Sequence, residues 1–346
     1  MKLILIDPNR PDLYHNNLFN YRKYPSLRLF HDARVYLLKQ NILFDTIDLH
    51  DVKSADQIFF FDHEPFYLFI RPKTYVKKCI ELGIPRERLN LIIFECPVIK
   101  PENWQIKNHQ LYGRVFTWND SLVDNKKYFH YFWPQNTEAI TRRIPFEKKK
   151  LLTLINAYKT NYLHNELYSL RIKIIRYLEK YHNNEFDLYG YGWNKRLELK
   201  NAYSALKYRP LSLITFITDF INSFTKLTTY RGTVKDKIAT LSKYKFALCF
   251  ENMGNIDGYI TEKIFDCFKA ECIPIYLGAS NISDYIPESI FINFRKFDNF
   301  TKLYNYLTKI DKNEYDEIYQ KTKKFLFEKL VRWSVRSFIY DILLRS

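Results

Sequence analysis

Apolar runs of strand length alternate with stretches of helical spacing along most of this chain. Residues 2–6 read as a first strand, and similar runs recur at 43–47, 58–61, 91–94 and 115–118. Between them, residues 29–40 read as a helix with apolar positions at Phe30, Val35, Leu37 and Leu38, and 75–82 form a second helix. Over 133–150 the periodicity stops, interrupted by Pro134, Pro145 and the run Glu147-Lys148-Lys149-Lys150. It restarts with a strand at 151–155, then a helix that sets Leu163, Leu167, Leu170, Ile174 and Leu178 on one face. A strand at 186–189, a helix at 234–244 and strands at 246–250 and 273–277 follow. Strands alternating with helices build parallel sheets. The pattern therefore predicts two α/β domains, 1–140 and 150–320.

Two stretches stand apart from that alternation. Residues 211–221, inside an irregular segment at 196–229, are apolar nearly all round if helical, which fits a buried helix, with a lip of an acceptor site or a membrane contact as the alternative. The tail, 321–346, reads as an amphipathic helix. Phe327, Val331, Val335, Phe338 and Ile342 share one face, and Lys323, Lys324, Lys329, Arg332, Arg336 and Arg345 lie elsewhere. It is expected to pack back onto the body.

In parallel sheets ligands sit beyond the carboxyl ends of the strands. The loop after 246–250, from Glu251 to Gly258, and the helix start near Thr261 fall there. Thr261 is placed to cap the helix, and Glu262 and Lys263 lie in its first turn beside backbone N–H groups that favour a phosphate. Glu95 directly follows the strand at 91–94, with Pro97 fixing a turn. Asp62, His63 and Glu64 end the strand at 58–61 and form a rival cluster, suited to acceptor binding or to the turn.

Bulk properties narrow the setting. At 346 residues the chain fits two domains of roughly 150 residues, and a hydrophobic content of 47% can fill a core in each. The formal net charge of +16 attracts polyanions, whether nucleic acid, anionic lipid or a nucleotide-linked substrate, and equally fits a well-solvated, Lys-rich surface with no such partner. Cys79, Cys96, Cys249, Cys267 and Cys272 form no CxxC pair or disulfide framework, so buried thiols in a reducing compartment are expected. The first apolar run is too short for a signal peptide, and no segment reaches about 18 uninterrupted apolar residues. A cytoplasmic protein is expected, with peripheral membrane contact through its basic surface.

At Phe250-Glu251-Asn252, then Gly258-Tyr259-Ile260-Thr261-Glu262-Lys263, then Ile273 to Gly278, the chain resembles the donor-binding motif of the family 10 glycosyltransferases, the α1,3/α1,4-fucosyltransferases. The spacing from Asn252 to Tyr259 is one residue longer than the family's usual run. The resemblance implies the GT-B architecture, two Rossmann-like domains facing across a cleft, with acceptor binding in the first and nucleotide-sugar binding in the second. It implies Glu95 as catalytic base and Arg171, Asn252, Tyr259, Glu262 and Lys263 as donor-binding residues. His63 and Glu64 are assigned to the acceptor, and Asn156 with the turn Gly190-Tyr191-Gly192-Trp193 to the base or sugar. The implied co-substrate is GDP-fucose and the partner a glycan such as lipopolysaccharide. Animal members carry an N-terminal membrane anchor, so this form is expected to be bacterial or viral.

Inverting transfer needs a base for the acceptor hydroxyl, cations for the departing diphosphate and polar groups that orient the donor. Neither a DxD pair nor a His/Cys cluster with ligand spacing is present, so no cofactor or metal is required, a divalent ion being at most stimulatory. Three other readings compete: a family 10-like transferase using a different nucleotide sugar, a basic nucleic-acid-binding protein, and a non-catalytic glycan-binding homologue. No RNP-like, KH or zinc pattern supports the nucleic-acid reading, and Glu95, Arg171, Glu262 and Lys263 together argue against a non-catalytic one.

Overall fold

The structure is a computed structural model that describes residues 1–64, 74–135, 144–161, 163–194 and 227–345. It divides into two compact units, Met1–Thr137 with Lys329–Ser346, and Glu138–Glu328. The helix expected within 196–229 lies outside the described residues.

The first unit is built on a parallel six-stranded sheet in the order β2-β1-β3-β4-β5-β6. Its strands are β1 (Lys2–Asp7), β2 (Ile42–Thr46), β3 (Gln57–Phe61), β4 (Leu89–Ile92), β5 (Arg114–Thr117) and β6 (Tyr128–His130). Ile4, Leu5 and Ile6 are all fully buried, as expected of a strand covered on both faces. Helix α1 (Arg28–Lys39) buries Phe30, Ala33 and Leu37, whereas Val35 and Leu38 are exposed. Spacings of three and four from Phe30 define the stripe, and Val35 falls outside it. Shorter helices α2 (Tyr75–Glu81) and α3 (Ile106–His109) follow. The strand order reverses between β1 and β3, so the crevice where such sheets take ligands lies at Asp7 and at the end of β3.

The second unit holds a parallel five-stranded sheet in the order β8-β7-β9-β10-β11. Its strands are β7 (Lys150–Ile155), β8 (Phe186–Tyr189), β9 (Tyr244–Phe250), β10 (Ile273–Leu277) and β11 (Ile292–Asn293). Its helices are α4 (Tyr168–Tyr181), α5 (Lys237–Leu241), α6 (Glu262–Lys269), α7 (Phe300–Leu307) and α8 (Lys312–Lys329). Leu154, Phe246, Leu248, Phe250 and Ile275 form the middle of one hydrophobic core. Here the order reverses between β7 and β9. Helix α4 begins at Tyr168 and not near Leu163. Asn165 takes a left-handed backbone (φ 64°), and the Glu166 carboxylate accepts from the N–H groups of Tyr168 (2.7 Å) and Ser169 (3.1 Å).

The tail departs from expectation. In place of one amphipathic helix over 321–346, α8 stops at Lys329, a 3-10 turn spans Leu330–Trp333, and helix α9 (Val335–Phe338) starts anew. Ser334 makes the break: its backbone is extended and its hydroxyl accepts from the N–H of Ser337 at 3.1 Å. Trp333, Phe338 and Ile342 are buried, and the Trp333 carbonyl accepts from Gln135 N at 2.6 Å. Phe327 and Val331 are left 93% and 72% exposed, so the expected single apolar face does not exist.

Candidate active site

The second unit's candidate site grows from the end of β9. Glu251, the first residue past the strand, is fully buried, and its N–H still donates to Leu277 O of β10 (2.8 Å). A buried carboxylate must find donors. Glu251 takes them from Thr261 N (2.9 Å), Thr261 Oγ1 (2.8 Å) and Lys263 Nζ (3.0 Å). Thr261 therefore occupies the N-cap position of α6 without capping it; its hydroxyl serves Glu251 instead. Gly278 is required by this packing, because a Cβ there would lie 2.5 Å from Glu251 Cγ and 2.3 Å from Tyr276 Oη.

Lys263 is largely enclosed, its side chain 16% exposed, with Glu251 at 3.0 Å and Glu262 at 3.6 Å. Burial works against its charge, but Glu251 and Glu262 outweigh burial and hold the ammonium above its ordinary pKa. Burial likewise opposes the charge of Glu262, yet Lys263 and Lys237 bring its carboxyl down to about 2. Lys237, at the start of α5, pairs with Asp266 of α6 at 2.8 Å. A small, partly open pocket is lined by Lys237, Lys263, Asn156, Cys249 and Cys267 among others. Two ammonium groups beside the first turn of α6 suit a diphosphate.

Arg171 of α4 is 2% exposed. Its Nη2 donates to the carbonyls of Phe250 (2.6 Å) and Glu251 (2.5 Å) and to Asn252 Oδ1 (3.3 Å), and its guanidinium lies 5.0 Å from the Tyr168 ring. These contacts turn the guanidinium inward and tie α4 to the end of β9. Asn252 is held on both sides, its carbonyl accepting from Leu167 N at 3.0 Å. Tyr259 is buried at 2% exposure and is part of the loop's own packing. The extra residue between them is absorbed by left-handed backbone at Asn255 and Gly258, with Gly258 N donating to Asn281 Oδ1 at 2.9 Å. At the neighbouring strand ends, a Cβ on Gly190 would stand 1.9 Å from Asn156 O, which also accepts from Trp193 Nε1 at 2.6 Å.

In the first unit Glu95 lies three residues beyond β4, half-buried, its peptide N–H donating to Asp62 Oδ1 at 3.1 Å. His63, expected to bind the acceptor, is buried. It is 1% exposed, its Nδ1 lies 2.8 Å from Tyr112 Oη, and burial, with Lys100, pulls its pKa down to about 4. It is a neutral core residue. Glu64 is half-buried and directly precedes residues outside the description. Asp7, at the sheet's reversal point, accepts from Tyr14 Oη (2.8 Å) and Asn9 N (3.0 Å), while its Oδ2 is buried without a partner. Burial pushes its carboxyl up to about 6.

The roles of Asp62 and Glu251, and Lys237 altogether, were missed in the sequence: Asp62 was grouped with His63 and Glu64 at a strand end, and Glu251 was named only as part of its loop and motif. Position could have flagged the first two, since each is an acid directly following a core strand. All five cysteines are buried. Among the described residues no group of three His, Cys, Asp or Glu could hold a metal ion, and no helix is long and apolar enough to cross a membrane.

Known proteins resemble this chain in sequence and in fold. Helicobacter pylori alpha-(1,3)-fucosyltransferase FucT is 40% identical over 90 residues, 25% of this chain and 19% of that protein. Mouse 4-galactosyl-N-acetylglucosaminide 3-alpha-L-fucosyltransferase 9 is 43% identical over 81 residues, 23% of this chain and 22% of the relative. The matched stretch thus spans about a fifth of these curated relatives. A crystal structure of an alpha1,3-fucosyltransferase superposes with a TM-score of 0.52 at 14% identity, covering 96% of this chain and 92% of the other. T4 phage BGT in complex with UDP and Mn2+ gives 0.53 at 11% identity, covering 99% of both. At such identities the likeness shows the fold, which is GT-B with two Rossmann-like domains. The profile of the C-terminal part of glycosyltransferase family 10 (fucosyltransferase) matches residues 146–341. Since that match takes in β7, α4, the Glu251 cluster and α6, and covers more than half of the sequence, the chain belongs to glycosyltransferase family 10.

Proposed function

We propose that this protein transfers L-fucose from GDP-fucose to a hydroxyl of a glycan acceptor, with inversion, forming an α1,3 or α1,4 bond. Glu95 takes the proton of the acceptor hydroxyl as that oxygen attacks the anomeric carbon. The bond from that carbon to the diphosphate breaks, and its electron pair leaves with GDP. Lys263, Lys237 and the first turn of α6 stabilise the departing charge in place of a metal, and Glu262, ionised throughout the neutral range, accepts hydrogen bonds from sugar hydroxyls. Arg171 and Glu251 position this apparatus.

The observation that carries the reading is the buried Glu251–Thr261–Lys263 cluster at the start of α6, inside the family match. A surface Glu-Lys pair would need no such internal counter-ion. Thermal shift with GDP, UDP, CDP and GDP-fucose tests the donor. Stabilisation by the guanosine nucleotides alone is expected, and selective stabilisation by UDP would move the assignment to another nucleotide sugar. Release of GDP by wild type and Glu95→Ala tests the base, the variant being expected to bind donor and transfer poorly. Full activity in excess chelator is expected; complete loss would remove the metal-free mechanism.

A further inference from the structure

The backbone around Glu95 is held by a set of side chains that a surface turn does not need. Past β4 the chain leaves the sheet, and the peptide groups of residues 93–95 must find partners elsewhere. Ile93 O accepts from Tyr131 Oη (2.7 Å), Phe94 O from Trp118 Nε1 (3.0 Å) and Glu95 O from Trp104 Nε1 (3.1 Å). The N–H groups of Phe94 (2.8 Å) and Glu95 (3.1 Å) both donate to one atom, Oδ1 of Asp62. Five successive main-chain groups are thus fixed by four side chains, each distant in sequence.

Asp62 is central to this arrangement. It directly follows β3 and adopts a left-handed backbone (φ 64°), a conformation that a short polar side chain tolerates better than most. Its own N–H donates to Ile92 O at 2.9 Å, continuing the β3–β4 pairing, while its carboxylate reaches the residues beyond β4. Oδ1 takes a third donor, Asn103 Nδ2, at 2.6 Å. Asn103, fully buried, completes the circuit: its Oδ1 accepts from His63 N at 2.6 Å. A buried carboxylate is costly, and a turn could be closed without one. What this one achieves is a single orientation for the Glu95 peptide.

We propose that Asp62, together with Asn103 and Trp104, is the positioning device for the side chain of Glu95. Asp62 touches no substrate and acts through Glu95. The proposal rests on the reading of Glu95 as the general base, whose efficiency depends on geometry held to a fraction of an ångström.

Steady-state kinetics of Asp62→Ala, Asp62→Asn, Trp104→Phe and Glu95→Ala, with the double variant Asp62→Ala/Glu95→Ala, test it. Asp62→Ala should lower kcat about 10- to 100-fold, with KM for donor and acceptor unchanged and GDP affinity as in wild type. Asp62→Asn keeps a side-chain oxygen for the two N–H groups and should recover part of that loss. In the Glu95→Ala background the Asp62 substitution should cost nothing further. If Asp62→Ala misfolds, Trp104→Phe, which removes one donor and keeps a ring, should still lower kcat alone. Wild-type kcat in soluble Asp62→Ala or in Trp104→Phe, or a loss that persists undiminished in the Glu95→Ala background, overturns the proposal. Wild-type activity of Glu95→Ala instead overturns the base assignment, so the two failures are distinguishable.

Discussion

Lys263 keeps its charge in a largely enclosed position because Glu251 is deeper still. The pair lies 3.0 Å apart, and Thr261 supplies the remaining donors to the carboxylate. Removing one partner of a buried pair leaves the other uncompensated, which typically costs about 3 to 5 kcal/mol. Glu251→Gln should therefore lower the melting temperature and weaken GDP binding together, read by calorimetry and titration; unchanged GDP affinity in a folded variant would separate Glu251 from the site. Asp7 is the opposite case. Its folded pKa, about 6, stands above the ordinary carboxylate value of 3.8, so between these values the folded state holds more protons than the unfolded one. Its contribution to stability is accordingly greatest at low pH and falls as pH rises through about 6. A shift of that size corresponds to about 3 kcal/mol at neutral pH. Asp7→Asn should raise the melting temperature at pH above 7 and change it little near pH 4, and equal effects at both would remove the argument.

At the scale of elements, the two sheets were legible because parallel strands buried on both faces read as unbroken apolar runs, as in residues 4–6 and 246–250. Strand-end chemistry was less legible. The position of α6 follows from its apolar spacing, but that Thr261 would serve Glu251 and not the helix depends on a carboxylate ten residues earlier being folded beneath it. Arg171 is similar. Its place on α4 was readable, while its inward turn answers to the carbonyls of Phe250 and Glu251, which only the packed structure brings to it. The break at Ser334 was hidden because Phe327, Val331 and Phe338 keep helical spacing across it. Glycine gives a direct test of the strand-end packing. Gly278→Ala would set a Cβ 2.5 Å from Glu251 Cγ, forcing β10 and the Glu251 cluster apart. Its expected signature is a lower melting temperature with loss of GDP stabilisation. Gly83→Ala serves as a contrast, since φ is positive there as well but nothing lies within 4 Å of the added atom. It should cost stability alone, leaving the nucleotide response intact.

For the whole molecule, a net charge of +16 requires an account that the donor site does not supply, since two or three cations suffice there. Helix α8 carries Phe327, 93% exposed, and by helical spacing Lys323 and Lys324 neighbour it one turn earlier. Although Lys324 pairs with Glu328 at 3.9 Å, an exposed aromatic beside amines suits an anionic lipid surface, where each basic residue contributes about 1 kcal/mol and the ring adds apolar burial. A nucleic-acid duplex, its bases stacked on one another, would be held through its phosphates and would ignore Phe327. Co-sedimentation with vesicles separates the two. Binding to phosphatidylserine-containing vesicles at low salt is expected, with none to pure phosphatidylcholine, and it should weaken in Phe327→Ser and in Lys323→Glu/Lys324→Glu without change in GDP release from a soluble acceptor. Phe327→Ser binding as wild type would show that the ring plays no part. Tight binding to random double-stranded oligonucleotides, undiminished by Phe327→Ser, would assign the charge to a polyanion other than lipid.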